Sequence, residues 1–146
     1  MQDWRSAGER VTLANGNFDL LHVGHVRYLR GAKALGGKLV VALNSDQSVR
    51  ALKGEGRPIM PEDERAEIVA ALGDVDAVVI FPELDVRAII REIRPDIQAK
   101  GTDYTADSVP ERDAIAECGG RIAIVGDRKD HSTSEILRSR LTPRKS

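Results

Sequence analysis

Residues 11–35 read VTLANGNFDLLHVGHVRYLRGAKAL. The stretch opens on a short apolar run, Val11 to Asn15, passes a glycine-containing bend, and continues with Val26, Leu29, Ala32 and Leu35 at helical steps from Gly24 to Leu35. A run of strand length followed by a helical period is the opening half of a βαβ unit. The alternation continues outward from it. Lys38 to Leu43 reads as a second strand and Asp46 to Leu52 as a short helix. A helix over Pro61 to Leu72 opens on Pro61 and the acids Glu62, Asp63 and Glu64, which suit the positive end of a helix dipole; Ile68, Val69 and Leu72 give its expected buried stripe. Ala77 to Phe81 is a third strand. Asp85 to Arg94 is a helix with Val86, Ile89, Ile90 and Ile93 on one face, stopped by Pro95. Ile97 to Lys100 and Arg121 to Val125 read as strands four and five, with helices over Pro110 to Cys118 and Ser132 to Leu141.

Strands apolar on both faces and alternating with helices predict an α/β fold: one Rossmann-like domain, with a five-stranded parallel sheet covered by helices on both faces. The 146 residues suit a single domain (1–146, core about 11–141). Aromatic residues are only 3%, so the core must be aliphatic. A net charge of −1 gives no electrostatic footprint for a nucleic acid or an anionic membrane. The single Cys118 gives no disulfide framework. With no signal-peptide pattern, and no apolar run near the ~20 residues of a membrane span, a cytoplasmic location is expected.

Ligands of such sheets bind beyond the carboxyl ends of the strands. There the chain places His22 and His25, three apart and therefore on one side of a helical turn. Gly16 and Gly24 leave room for a ligand to approach the backbone. A helix N-terminus is already an anion site, and two imidazoles add donors. The set suits a triphosphate and the charge that grows on it during displacement. Two other readings stand beside this one. The pair plus His131 would be a zinc set, or the histidines are structural.

The pattern G-x-F-D-x-x-H-x-G-H, Gly16 to His25, resembles the nucleotide-binding motif of the cytidylyltransferase-like nucleotidyltransferases. Ser132-Thr133-Ser134 is similar to the family's second motif, although Arg128 is not at the usual spacing. Asn44-Ser45-Asp46, Leu52-Lys53-Gly54 with Arg57-Pro58, Arg65, Val75-Asp76, Arg94 to Ile97 and Lys100 to Tyr104 resemble one branch, the adenylyltransferases that make ADP-heptose from D-glycero-β-D-manno-heptose 1-phosphate. In that branch the transferase is often fused to a sugar kinase, and this chain resembles a stand-alone form. Gly126 to His131 departs from the branch pattern.

The resemblance implies an enzyme that takes ATP and a phosphorylated sugar, with magnesium carried on the ATP and a homodimer as the assembly. It also implies His22, His25 and Lys53 as catalytic residues. Lys53 would act from a mobile lid, Lys53 to Arg57. Nucleotide contacts are implied for Asn15, Gly16, Asn17, Phe18, Gly24, Arg65, Lys100, Gly101, Asp103, Tyr104, Ser132 and Thr133. Asp19 is expected to order the loop rather than do chemistry. A cytidylyltransferase acting on glycerol 3-phosphate shares the first motif. A non-catalytic nucleotide-binding module is the alternative of another class.

Overall fold

The computed structural model describes residues 2–126. In chain order the elements are α1 (Gln2–Ser6), β1 (Val11–Gly16), α2 (Val23–Ala34), β2 (Lys38–Asn44), α3 (Asp46–Lys53), α4 (Glu62–Ala70), β3 (Ala77–Phe81), α5 (Arg87–Ile93), β4 (Ile97–Lys100), α6 (Arg112–Glu117) and β5 (Arg121–Ile124). The five strands form one parallel sheet in the order β3-β2-β1-β4-β5. The expected five-stranded Rossmann-like architecture is therefore present. The expected helix over Ser132 to Leu141, together with Arg128, His131, Ser132 and Thr133, lies outside the described residues.

The strand alternation sends side chains to opposite faces. Leu39, Val41 and Leu43 of β2 join Ala14, Leu29, Ala32 and Val69 in one buried cluster, on the side of α2 and α4. Val40 and Ala42 join Val11, Leu13, Ile90, Ile93, Ala114 and Ile115 in the other, on the side of α5 and α6. Both faces are thus aliphatic and covered, as parallel sheets require. Among the described residues no helix is long and apolar enough to cross a membrane.

Three details differ from expectation. Ile68 is 37% exposed, while Arg65 and Val69 are the buried residues of α4. The inward stripe runs Arg65, Val69, Leu72 in steps of four and three, and Ile68 falls on its edge. Among the described residues β3 pairs only with β2, which makes this apolar strand an edge there, and Ile80 is 39% exposed. The five-residue α1 is too short to show a period, yet its Trp4 packs against the α5–α6 cluster.

The chain winds from β1 through β2 to β3 on one side, then returns to place β4 and β5 on the other. Between β1 and β4 the direction of winding reverses, the position where such sheets hold ligands. At the opposite end of the sheet Gly37, at φ +78°, brings its backbone against Arg10; a Cβ there would lie 2.3 Å from the Arg10 carbonyl oxygen. Gly37→Ala combines that overlap with a strained φ, so it should cost about 2 kcal/mol or more in urea denaturation while leaving ligand affinity unchanged.

Candidate active site

The pocket opens at that reversal and encloses about 280 Å³. Asn15 and Gly16 from the end of β1, Asn17 and Phe18 from the loop beyond it, and His25 and Tyr28 from α2 form one wall. Lys100, Gly101, Asp103 and Tyr104, at and beyond the end of β4, form the other. Nine of the residues implied by the resemblance, all but Tyr28 of these ten, therefore converge on one cavity.

The two histidines are held by the first turn of α2. His22 is its N-cap, in extended conformation, and its Nδ1 accepts from the Gly24 N–H at 3.1 Å. In return the His22 N–H donates to His25 Nδ1 at 3.1 Å. The rings stack with centroids 3.9 Å apart and planes 27° apart. Each Nδ1 is thus an acceptor, which puts the proton of a neutral ring on Nε2. The cap therefore uses Nδ1 of each ring and not Nε2. The first turn of α2 carries no acidic residue to occupy its positive end.

Burial, and secondarily the neighbouring His22, lower the His25 pKa from 6.5 to about 4. Protonating Nδ1 would also forfeit its bond from the His22 N–H. His25 is therefore a neutral donor at pH 7. Because its folded pKa lies below its unfolded one, the stability it contributes is complete above pH 6.5 and is lost as pH falls toward about 4. Between pH 6.5 and 4.5 the wild type should accordingly lose more unfolding free energy in urea than His25→Gln does. Equal losses would contradict the neutral assignment.

Phe18 supports this arrangement from a left-handed backbone, φ 50°, with Leu20 at φ 59° close behind. Its ring is 4% exposed and lies 5.2 Å from the His25 ring and 6.5 Å from that of Tyr28. A Cβ on Gly16 would come within 3.1 Å of the Phe18 ring, which is why glycine stands there. Two left-handed non-glycines in three residues are backbone strain of the kind that collects at functional loops.

Tyr28 is a member of the site that the sequence reading did not single out. Its hydroxyl donates to the Ala99 carbonyl at 2.6 Å and accepts from the Asn15 N–H at 3.4 Å. The β1–β4 register ends at Ala14 and Ala99, so the phenol sits where the two strands part. Burial raises its pKa, keeping the hydroxyl protonated. The signal was present: His22, His25 and Tyr28 recur every three residues and share one side of α2.

Four expected residues among those described do not line the pocket: His22 and Gly24, which form the cap beside it, and Arg65 and Lys53, which lie elsewhere. Arg65, implied at the nucleotide, is only 1% exposed and lines no part of the pocket. Its guanidinium donates to the carbonyl oxygens of Met60 (2.9 Å), Asn17 (2.7 Å) and Asn44 (2.9 Å), and to the Asp46 carboxylate (2.8 Å). It is a positioning residue that ties together the loops after β1, β2 and α3. Lys53, implied as a lid cation, ends α3 in an exposed position and does not line the pocket. Gly54, at φ 90°, turns the chain away, and Asp19 then fastens the segment from Arg57 to Met60. The Asp19 carboxylate accepts from the N–H groups of Ile59 (2.8 Å) and Met60 (2.9 Å) and from Arg57 Nε (3.1 Å). Burial alone would raise its pKa, but these donors outweigh it and hold the carboxyl below its ordinary value. Asp19 orders the loop, as expected. Gly24 stands in the cap itself, its N–H committed to His22.

Comparison with known proteins places this geometry. A family model described as cytidylyltransferase-like matches residues 13–139. The chain belongs to the cytidylyltransferase-like family. Among relatives, "Bifunctional protein HldE" of Methylobacillus flagellatus is 48% identical over 138 residues, 94% of this chain and 28% of that protein. The protein of the same name from Geobacter sulfurreducens is 47% identical over 91% of this chain and 27% of its own length. The chain spans little more than a quarter of these curated relatives. A solved structure, the lipopolysaccharide core biosynthesis protein from Thermoplasma volcanium, is 31% identical with a TM-score of 0.71, covering 84% of this chain and all of that one. Cytidylyltransferase-like membership, read from Gly16 to His25, thus holds across the domain.

Proposed function

We propose that the chain transfers AMP from ATP to D-glycero-β-D-manno-heptose 1-phosphate, giving ADP-heptose and pyrophosphate. One observation carries the reading: two stacked imidazoles, each with Nδ1 spent on the helix cap rather than Nε2, at the acid-free start of α2 beside the pocket. An oxygen of the sugar phosphate attacks the α-phosphorus, the bond from that phosphorus to the bridging oxygen breaks, and pyrophosphate leaves with the electron pair. The nucleophile is already ionised, so no general base is required, and the catalytic contribution is alignment and charge stabilisation. His22 and His25 donate to the phosphate oxygens whose charge grows. Tyr28 and Phe18 fix the wall they stand on. Asp103 and Tyr104, across the pocket, suit the nucleoside. The relatives, and the stretches from Asn44 to Tyr104 that resemble the ADP-heptose branch, support the heptose acceptor and ATP.

Among the described residues no group of three or more His, Cys, Asp or Glu side chains is placed to hold a metal. By the resemblance to the family, magnesium would enter on the triphosphate. There it would neutralise charge on the departing pyrophosphate. The test is incubation with ATP or CTP and with heptose 1-phosphate or glycerol 3-phosphate, reading pyrophosphate. Release with ATP and heptose 1-phosphate is expected. Release only with CTP and glycerol 3-phosphate would replace the heptose reading.

A further inference from the structure

The seam between β1 and β4 ends on a side chain rather than on a ladder bond. Val11 directs its N–H toward β4, where Asp96 Oδ2 accepts it at 2.8 Å, so the odd-numbered residues of β1 face that strand. Lys100 directs its carbonyl the other way, to the Val125 N–H at 2.8 Å, so Ala99 faces β1. With Ala14 opposite Ala99, the next rung of a parallel ladder would run from the Asn15 N–H to the Ala99 carbonyl. The Tyr28 hydroxyl occupies that rung. It accepts from the Asn15 N–H at 3.4 Å and donates to the Ala99 carbonyl at 2.6 Å. The outer pairings run on past this point. Asn15 and Gly16 stay opposite Ala42 and Leu43 of β2, and Lys100 stays opposite Ile124 of β5. The parting is confined to the central seam, where the pocket opens.

A hydroxyl suits this place because it is donor and acceptor at once. It leaves neither backbone group unpaired, and it adds the width of one oxygen atom between the strands. Its reach is fixed from behind. A Cβ on Gly31 would come within 3.0 Å of the Val125 side chain, and one on Gly126 within 3.3 Å of the Tyr28 Cα. The chain leaving β5 therefore lies directly against α2 at this turn, and the phenol cannot draw back from the seam. The Phe18 ring, 6.5 Å from that of Tyr28, is also 5.2 Å from that of His25. Tyr28 itself stands one turn beyond His25 on α2. One helix thus sets both the imidazoles and the gap between the strands.

We propose that Tyr28 is a positioning residue whose hydroxyl takes the place of the last β1–β4 rung, holds the two strand ends apart and so sets the width of the cleft for the nucleoside. It acts on the nucleoside end of the ligand, while the start of α2 acts on the phosphates. That the ligand is a nucleotide rests on the function proposed above; the spacing of the strands by the hydroxyl does not.

The test compares the full chain with Tyr28→Phe, which keeps the ring and removes the hydroxyl, and with Tyr28→Leu, which is too short to reach the seam. Thermal melting checks folding. Amide hydrogen exchange, read by NMR without ligand, reports the rung itself. In Tyr28→Phe the Asn15 amide should exchange about tenfold faster or more, while that of Leu13, one rung earlier, keeps its protection. Calorimetry with magnesium then uses ATP and inorganic pyrophosphate as separate probes. Tyr28→Phe should bind ATP about tenfold more weakly and pyrophosphate as the wild type does. In turnover the same split should appear as a raised KM for ATP with kcat and the acceptor KM little changed. Should Tyr28→Phe not fold, Tyr28→Leu decides alone. Without the spacer its strand ends can close on each other, so it too should lose affinity for ATP and keep that for pyrophosphate. An Asn15 amide as protected in Tyr28→Phe as in the wild type would overturn the proposal. So would an unchanged ATP affinity, or an equal loss for both probes, which would make the tyrosine a support of α2 as a whole. If the wild type binds pyrophosphate but no nucleotide, the nucleotide reading fails by itself, and the exchange of Asn15 settles whether Tyr28 spaces the strands.

Discussion

Replacing His22 or His25 by alanine should lower kcat for pyrophosphate release by about 10²–10³-fold each, the usual cost of withdrawing one preorganised donor from developing charge. The double variant should lose less than the product of the two, because in the proposed mechanism the stacked rings would serve the same phosphate oxygens. Alanine also removes a helix cap worth about 1 kcal/mol, so rate and stability will fall together. His22→Asn separates them. Asparagine keeps a side-chain acceptor for the Gly24 N–H but has no group where Nε2–H stood. It should melt near the wild-type temperature and still lose most of the rate. A His22→Asn protein with full activity would show that the histidine is a cap and nothing more.

The second large effect is on the fold around the site. Arg65→Ala should destabilise the protein by about 3–5 kcal/mol, because it removes a fully buried charge and strands its partners. Those partners are three carbonyl oxygens, of Asn17, Asn44 and Met60, and the Asp46 carboxylate. The melting temperature should fall on the order of 10 °C. Arg65→Lys should recover little, since an ammonium cannot reproduce a planar fork that reaches three loops at once. Urea denaturation measures both. A melting point within a few degrees of the wild type for Arg65→Ala would mean that the loops after β1 and β2 hold their places without it.

Arg65 also marks where the sequence ceased to be readable. An arginine among Glu62, Asp63, Glu64 and Glu67 has the local signature of a solvated helix face. Only the tertiary arrangement reveals that its side chain turns inward to carbonyls 21 and 48 residues away in the chain. The same limit applies to Lys53. Its glycine-flanked loop suggests mobility, while the Asp19 clamp that fastens the segment's far end bridges 38 to 41 positions. Periodicity, by contrast, is a local property. Ala77–Phe81 and Ile97–Lys100 appear with the very bounds that their apolar runs implied. The pocket residues at the ends of β1 and β4 were legible for a related reason: parallel topology alone puts strand C-termini together, and the order β3-β2-β1-β4-β5 makes those two strands neighbours.

The most direct measurement is a crystal structure of the chain with magnesium and a non-hydrolysable ATP analogue. The account predicts phosphate oxygens about 3 Å from Nε2 of both His22 and His25, with the nucleoside between the ends of β1 and β4. A nucleotide bound elsewhere, or one whose phosphates leave both imidazoles facing solvent, would contradict it.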